Sequence, residues 1–384
     1  MNAVPFTIAV ADETLEDLRA RLGRTRWPDA LPGVGWDYGV SPEYLRGLME
    51  HWRAGFDWRA EQARLNQLAN FRVEIDGLPV HVIHERGRGA RPLPLLIAHG
   101  WPSSCYEAID LIPLLTDPAR FGGDPADSFD VVVPSLPGYG FSGLPDAPGM
   151  TSTRISGMLV KLMRALGYEQ FAAHAYDVGA SILSAMCLDF PERLIAYHTT
   201  EPENANPYIG PGAPALTAAE QDYLDLKRSW YAVEGGYDLI QATRPQTLGY
   251  GLNDSPVGLA AWIIDKWFTW TEPPDGDLGK HFTADQLLAN LTIYWATGTI
   301  NSANRLYYER DHRPRVRTAA DRIRVPTGIA LTTQAIERAP REYLERIFTD
   351  IRHWRDLGAG GHFVMLEQPE LLADSLRTFF RLFR

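Results

Sequence analysis

Five short apolar runs, separated by stretches of helical periodicity, constrain this chain more than any other feature. They lie at 93–98, 131–133, 171–175, 194–198 and 323–330. A run that is apolar at successive positions fits a strand buried on both faces. The helical patterns between runs, such as 156–166 and 178–188, are the crossovers that parallel strands require. The chain therefore reads as α/β, a mostly parallel sheet flanked by helices.

One stretch breaks the alternation. Residues 201–315 are helical in pattern and dense in Trp and Tyr, and they fall between two strand runs. They read as a helical cap inserted over the C-terminal edge of the sheet, where α/β proteins bind their ligands. Upstream, residues 13–23 set Leu15, Leu18 and Leu22 on one helical face, and a second amphipathic helix runs from Ser41 to about Arg53. Residues 71–85 read as a hairpin turning at Asp76-Gly77. The expected division is an N-terminal extension (1–90), a core (91–200 and 316–384) and the cap (201–315).

The formal charge of −11 argues against a broad basic surface for nucleic acid or an anionic membrane. About 18 uncharged apolar residues in a row would be needed to span a bilayer, and no such run occurs. With no basic-then-apolar leader pattern either, the chain reads as soluble and cytoplasmic, and a homodimer is compatible with it. Cys105 and Cys187 read as reduced thiols, with a single bridge left open.

Chemistry concentrates at three places. Ala175-Tyr176-Asp177-Val178-Gly179 has the small-x-nucleophile-x-small pattern of a nucleophile elbow, in which a strand turns sharply into a helix and lifts one side chain above the sheet. The positive end of that helix favours an ionised carboxylate. A plain N-cap role for Asp177 explains the pentapeptide equally well. Gly-x-Ser-x-Gly is absent, and Ser181 falls inside the helix, so a serine esterase is disfavoured. His99-Gly100-Trp101-Pro102 follows the first run, where this arrangement supplies an oxyanion hole. The expected donors are the N–H groups of Trp101 and Val178, the alternative being an ordinary strand-to-helix turn. His362, in Gly360-Gly361-His362-Phe363, comes last in chain order, as the triad histidine of such folds does.

Together these segments resemble the microsomal-type epoxide hydrolases, including bacterial and biosynthetic relatives, over nearly the whole chain. The resemblance runs through Arg24-Thr-Arg-Trp-Pro-Asp29, His99-Gly-Trp-Pro102, Pro137-Gly-Tyr-Gly-Phe-Ser142, Leu252-Asn-Asp-Ser-Pro-Val-Gly-Leu-Ala-Ala261 and Tyr294-Trp-Ala-Thr-Gly-Thr299. It implies the α/β-hydrolase fold with an N-terminal extension wrapping the core. It also implies two cap tyrosines, Tyr237 and Tyr307, that hold and protonate the epoxide oxygen. Asp177 would open the epoxide through an alkyl ester, and a water activated by His362 would release a vicinal diol. No metal or cofactor is implied, and the aromatic-rich cap points to a bulky apolar, aromatic or polycyclic small-molecule epoxide.

Two features depart from the family pattern. The elbow usually reads Gly-Gly-Asp-Trp-Gly, so Tyr176 and Val178 suggest a reshaped pocket floor. The acid that orients the histidine should follow Val325-Pro-Thr-Gly328, but ungapped spacing puts Ala335 at its position. Glu337, two residues on, could substitute if the loop shifts. Glu201, after the fourth run, is the other candidate, and either could be no more than a surface residue. Without an orienting acid, alkylation could outlive hydrolysis, and the scaffold would open epoxides by cyclisation or coupling, as natural product biosynthesis could use. Ala335 also favours a non-catalytic binding protein, which the intact Asp177, His362, Tyr237 and Tyr307 oppose. Haloalkane dehalogenation lacks its halide-binding Trp, replaced by Val178.

Overall fold

The computed structural model describes residues 3–271 and 276–384. Its strands are β1 (Val4–Pro5), β2 (Asn70–Ile75), β3 (Leu78–Glu85), β4 (Leu93–Ala98), β5 (Phe129–Pro134), β6 (Phe171–Ala175), β7 (Leu194–Thr199), β8 (Thr327–Leu331) and β9 (Ile351–Asp356). They form one nine-stranded sheet in the order β1-β2-β3-β5-β4-β6-β7-β8-β9. The pairs from β1 to β5 through β3 are antiparallel, and those from β5 through β4 to β9 are parallel.

The local reasons are simple. Every residue of β5, β6 and β8 is buried, which is why these strands are mostly apolar or small, with Asp130 and His174 among the exceptions. The β2–β3 hairpin turns at Asp76 and Gly77, both at positive φ (53° and 81°), a tight turn matched to strand twist. The run at 323–330 is not one strand. β8 starts only at Thr327, and Ile323 makes an isolated bridge to Phe348. Pro326 between them has no N–H to give to a ladder. Edge strand β9 escaped the apolar-run reading because it mixes Arg352, Arg355 and Asp356 with half-buried residues, and charge protects an exposed edge.

The N-terminal segment folds as helices Asp12–Gly23 and Pro42–Glu50, the second capped by Ser41 and continued by a wider turn, His51–Gly55. A further helix, Trp58–Asn66, has no clear sequence signature. Between β7 and β8 the chain passes through helices Ala218–Glu234, Gly236–Thr243, Pro245–Asp254, Pro256–Thr271, Ala284–Thr297 and Ile300–His312. The N-terminal segment packs on these helices: Trp36 stacks on Phe268 at 3.7 Å, and Trp52 Nε1 donates to Thr292 Oγ1 (2.9 Å). Cys105 and Cys187 are buried and free, which closes the option of a bridge. Among the described residues no helix is long and apolar enough to cross a membrane.

Candidate active site

β6 is followed by extended Tyr176, and Asp177 then opens helix Asp177–Asp189 with φ +51°. That left-handed backbone costs a non-glycine residue energy and is characteristic of a strained functional turn. The turn packs so tightly that neighbouring side chains are excluded. A Cβ at Gly179 would lie 2.4 Å from the Ala98 carbonyl oxygen, and one at Gly100 would lie 2.6 Å from Asp177 Cβ. The Trp101 N–H donates to Asp177 Oδ1 at 2.7 Å, and the Val178 N–H also bonds this carboxylate. Burial pushes the Asp177 carboxyl above its ordinary range, while His362 and the two N–H groups oppose that rise and favour the anion. Asp177 thus lies against the expected donors, with its Oδ1 on the Trp101 N–H.

His362 stands next to it. Its N–H donates to the Trp270 carbonyl (3.2 Å), and its ring lies edge-on to Trp270 (4.8 Å) and Tyr176 (5.5 Å). Nε2 is 3.8 Å from Asp177 Oδ2, beyond hydrogen-bonding range, and makes no hydrogen bond. Nδ1 contacts Glu337 Oε1 at 2.9 Å and Glu201 Oε1 at 3.1 Å. Burial lowers the imidazole to about 4, so it rests as a neutral base.

The position spaced for the acid is a short turn, Ala335–Glu337. The turn carries Glu337, not Ala335, to the imidazole, and Thr332 Oγ1 fixes the other Glu337 oxygen at 2.6 Å. The surface reading of the two glutamates fails: each is only 3% exposed. The Oε and Nδ1 donors of Glu201, Glu337 and His362 lie within 4.8 Å of one another, a spacing a metal could use. An Nδ1 proton directed at Glu337 makes the arrangement that of an oriented base.

Tyr237 sits in helix Gly236–Thr243 and Tyr307 in helix Ile300–His312. Their rings are 5.9 Å apart and both rest on the Trp101 indole, Tyr237 stacked (5.3 Å) and Tyr307 edge-on (5.7 Å). Burial raises both phenols well above their usual range, so they remain O–H donors. With Asp177 and Val178 they line a cavity of ≈ 710 Å³ whose mouth also carries Lys227, Arg310 and Asn204. A smaller space of ≈ 70 Å³ lies beside His362, Glu201 and Glu337.

Tyr176 does not reshape this floor. It is buried, and its hydroxyl donates to Glu107, whose other oxygen takes Ser103 Oγ at 2.5 Å. Glu107, buried behind Asp177, and Trp270, packed on His362, carry no sequence signal that would have singled them out. The bidentate Arg310–Asp238 pair beside Tyr307 was equally invisible.

Residues 3–108 match the family model described as epoxide hydrolase N terminus, and 94–232 match that of the alpha/beta hydrolase fold. Epoxide hydrolase 1 of Sus scrofa is 34% identical over 400 residues, covering 98% of this chain and 88% of that protein. The crystal structure of juvenile hormone epoxide hydrolase from the silkworm Bombyx mori superposes with a TM-score of 0.89 at 31% identity, covering 100% of this chain and 95% of that one. The Aspergillus niger epoxide hydrolase structure gives 0.85 at 27% identity, covering 100% and 97%.

Proposed function

Given that the chain belongs to the epoxide hydrolase family and hydrolyses epoxides, we propose that it does so through an alkyl ester on Asp177. The observation that carries this reading is the facing arrangement of Asp177, held by the Trp101 N–H, against the Tyr237–Tyr307 pair across one cavity. We read residues 1–90 as a wrapping extension and 201–315 as the cap that brings these phenols over the core.

An epoxide oxygen leaves as an alkoxide, a poor leaving group unless it is protonated in step. Tyr237 and Tyr307 hold the oxygen and deliver that proton while Asp177 attacks carbon from the opposite side. The oxygen of Asp177 that did not attack becomes the ester carbonyl oxygen and stays on the Trp101 N–H, beside that of Val178. His362 Nε2 takes a proton from water, water adds to the Asp177 carbonyl, and the N–H pair stabilises the developing oxyanion. Collapse expels the second diol oxygen, which takes the proton held by the His362 imidazolium, and the carboxylic acid left at Asp177 gives up its proton as the tyrosinate regains one, restoring the resting site. Glu337 holds the imidazole by Nδ1 and stabilises its cationic form.

Glu337 beside Nδ1 supports hydrolysis over the cyclisation and coupling alternatives, because the second half-reaction has the groups it needs. The aromatic walls formed by Trp230, Trp270 and Tyr231 favour an apolar or aromatic substituent near the epoxide. The test is intact-protein mass spectrometry after mixing with styrene oxide, alongside Asp177→Asn. A transient adduct with diol release is expected for the native chain and neither for the variant. Diol formation unchanged in Asp177→Asn would refute the ester mechanism.

A further inference from the structure

Two carboxyl groups converge on one ring nitrogen. Glu337 reaches His362 Nδ1 from the turn after β8, with Oε1 at 2.9 Å in hydrogen-bonding geometry. Glu201 reaches the same atom from just beyond β7, with Oε1 at 3.1 Å. Nδ1 carries a single hydrogen, and the aligned acceptor is Glu337. Glu201 Oε1 accepts no hydrogen bond, although its Oε2 is fixed by Asn204 Nδ2 at 2.8 Å. A buried carboxyl oxygen left unsatisfied is costly, and here it is aimed at the group that must be held during hydrolysis.

The charges show why both can be present. Asp177, Glu201 and Glu337 surround one imidazole in a buried space, with Glu203 nearby, and like charges at such range cannot all be ionised. Burial, reinforced by Glu337, Asp177 and Glu203, holds the Glu201 carboxyl well above the ordinary range. Charge on Glu201 is therefore disfavoured, and the Nδ1 hydrogen bond goes to Glu337.

We propose that Glu201 is a second positioning carboxyl for His362, interchangeable with Glu337 at Nδ1. When Glu337 is neutralised or replaced by an amide, the repulsion it exerts on Glu201 disappears. Ionised Glu201 is then no longer opposed by Glu337 and accepts the Nδ1 hydrogen through Oε1, which already lies at bonding distance. The ≈ 70 Å³ space that both glutamates line leaves room for that small rotation. The spare carboxyl also explains how the acid could move to position 337 within the loop without loss of an oriented histidine. This inference rests on His362 acting as the base in hydrolysis of the Asp177 ester.

The experiment separates the two half-reactions by rapid quench and intact-protein mass spectrometry in Glu337→Gln, Glu201→Gln, the double variant, and Glu201→Asp combined with Glu337→Gln. Positioning of His362 acts on ester hydrolysis, so ester formation should stay within a few-fold of native in all four. Each single variant should slow hydrolysis by only about 10-fold or less, and the double variant by about 10³–10⁴-fold, the scale seen when a triad histidine loses its acid. Aspartate at 201 in the Glu337→Gln background should recover at least 10-fold over glutamine there. If Glu337→Gln alone is as slow as the double variant, Glu201 is a bystander and the inference falls. Should the double variant fail to fold, the aspartate–glutamine comparison at 201 decides, and no recovery by aspartate overturns the proposal. Absence of any ester in the native chain would instead overturn Asp177 as nucleophile, and this inference with it.

Discussion

Replacing Gly100 by alanine should detach Asp177 from its donor without replacing any side chain of the proposed mechanism. The new methyl would sit 2.6 Å from Asp177 Cβ and 2.7 Å from its Oδ1, against about 3.5 Å for comfortable contact. One partner must therefore retreat by roughly 0.9 Å. The Trp101 N–H bond, now 2.7 Å, would stretch beyond hydrogen-bonding range. A hydrogen bond to a charged group contributes about 1.5–3 kcal/mol, which at about 1.4 kcal/mol per decade is a roughly 10- to 150-fold loss in ester formation. The same N–H serves the oxyanion later, so hydrolysis of the ester should fall as well, by about 10²-fold or more. The assay is single-turnover quench with mass detection, with Gly251→Ala as the matched control, since a Cβ there meets nothing within 4 Å. A folded Gly100→Ala protein forming ester within threefold of native would refute the claim that the Trp101 N–H sets the nucleophile.

Two further outcomes follow from the site and the core. Tyr237→Phe and Tyr307→Phe should each slow ester formation by about 10- to 100-fold while leaving hydrolysis of preformed ester nearly unchanged, and the double variant should lose the general-acid contribution of about 10²–10⁴; equal loss in both half-reactions would point to collapse of the cap instead. Stability should peak on the acidic side of neutrality. Burial lowers His81 to about 3 and His99 and His174 to about 4, so their contribution is complete above pH 6.5 and is lost as pH falls through 4. Burial raises Glu107 to about 8 and Glu367 to about 7, so theirs is complete below pH 4.5 and is lost as pH rises through 7–8. Thermal unfolding should thus show Glu107→Gln gaining on the native chain between pH 5.5 and 8; an unchanged gap would show that Glu107 is not the group titrating.

What the sequence could reveal was whatever leaves a local signature. Strands buried on both faces must be apolar along their length, so β4 to β7 stood out, and an elbow that leaves no room for side chains announces itself by Ala175 and Gly179. The acid was harder because spacing counts residues, whereas the turn at Ala335–Glu337 winds the backbone and presents the side chain two positions later. Glu201 was visible as a candidate only because it follows β7; that it shares Nδ1 with Glu337 depends on two loops from different strands meeting, which no local pattern encodes. Tyr176 looked like part of the pocket because it adjoins the nucleophile, yet alternation along the extended backbone turns it the other way, onto Glu107. Strand β9 was missed for the opposite reason, since an edge strand is built to look unlike a buried one.

Trp101 ties two layers of the molecule together. Its backbone grips Asp177, its indole supports Tyr237 and Tyr307, and its Nε1 donates to Asn304 on the same helix as Tyr307. One residue thus works as a gauge block between nucleophile and acids, fixing the gap that a three-membered ring must fit. The walls beyond that gauge are free to drift. Diversification of substrate range, by evolution or in a library, can proceed at wall positions such as Trp230, Tyr231 and Leu306, while any exchange at 101 would misalign both ends of the reaction at once.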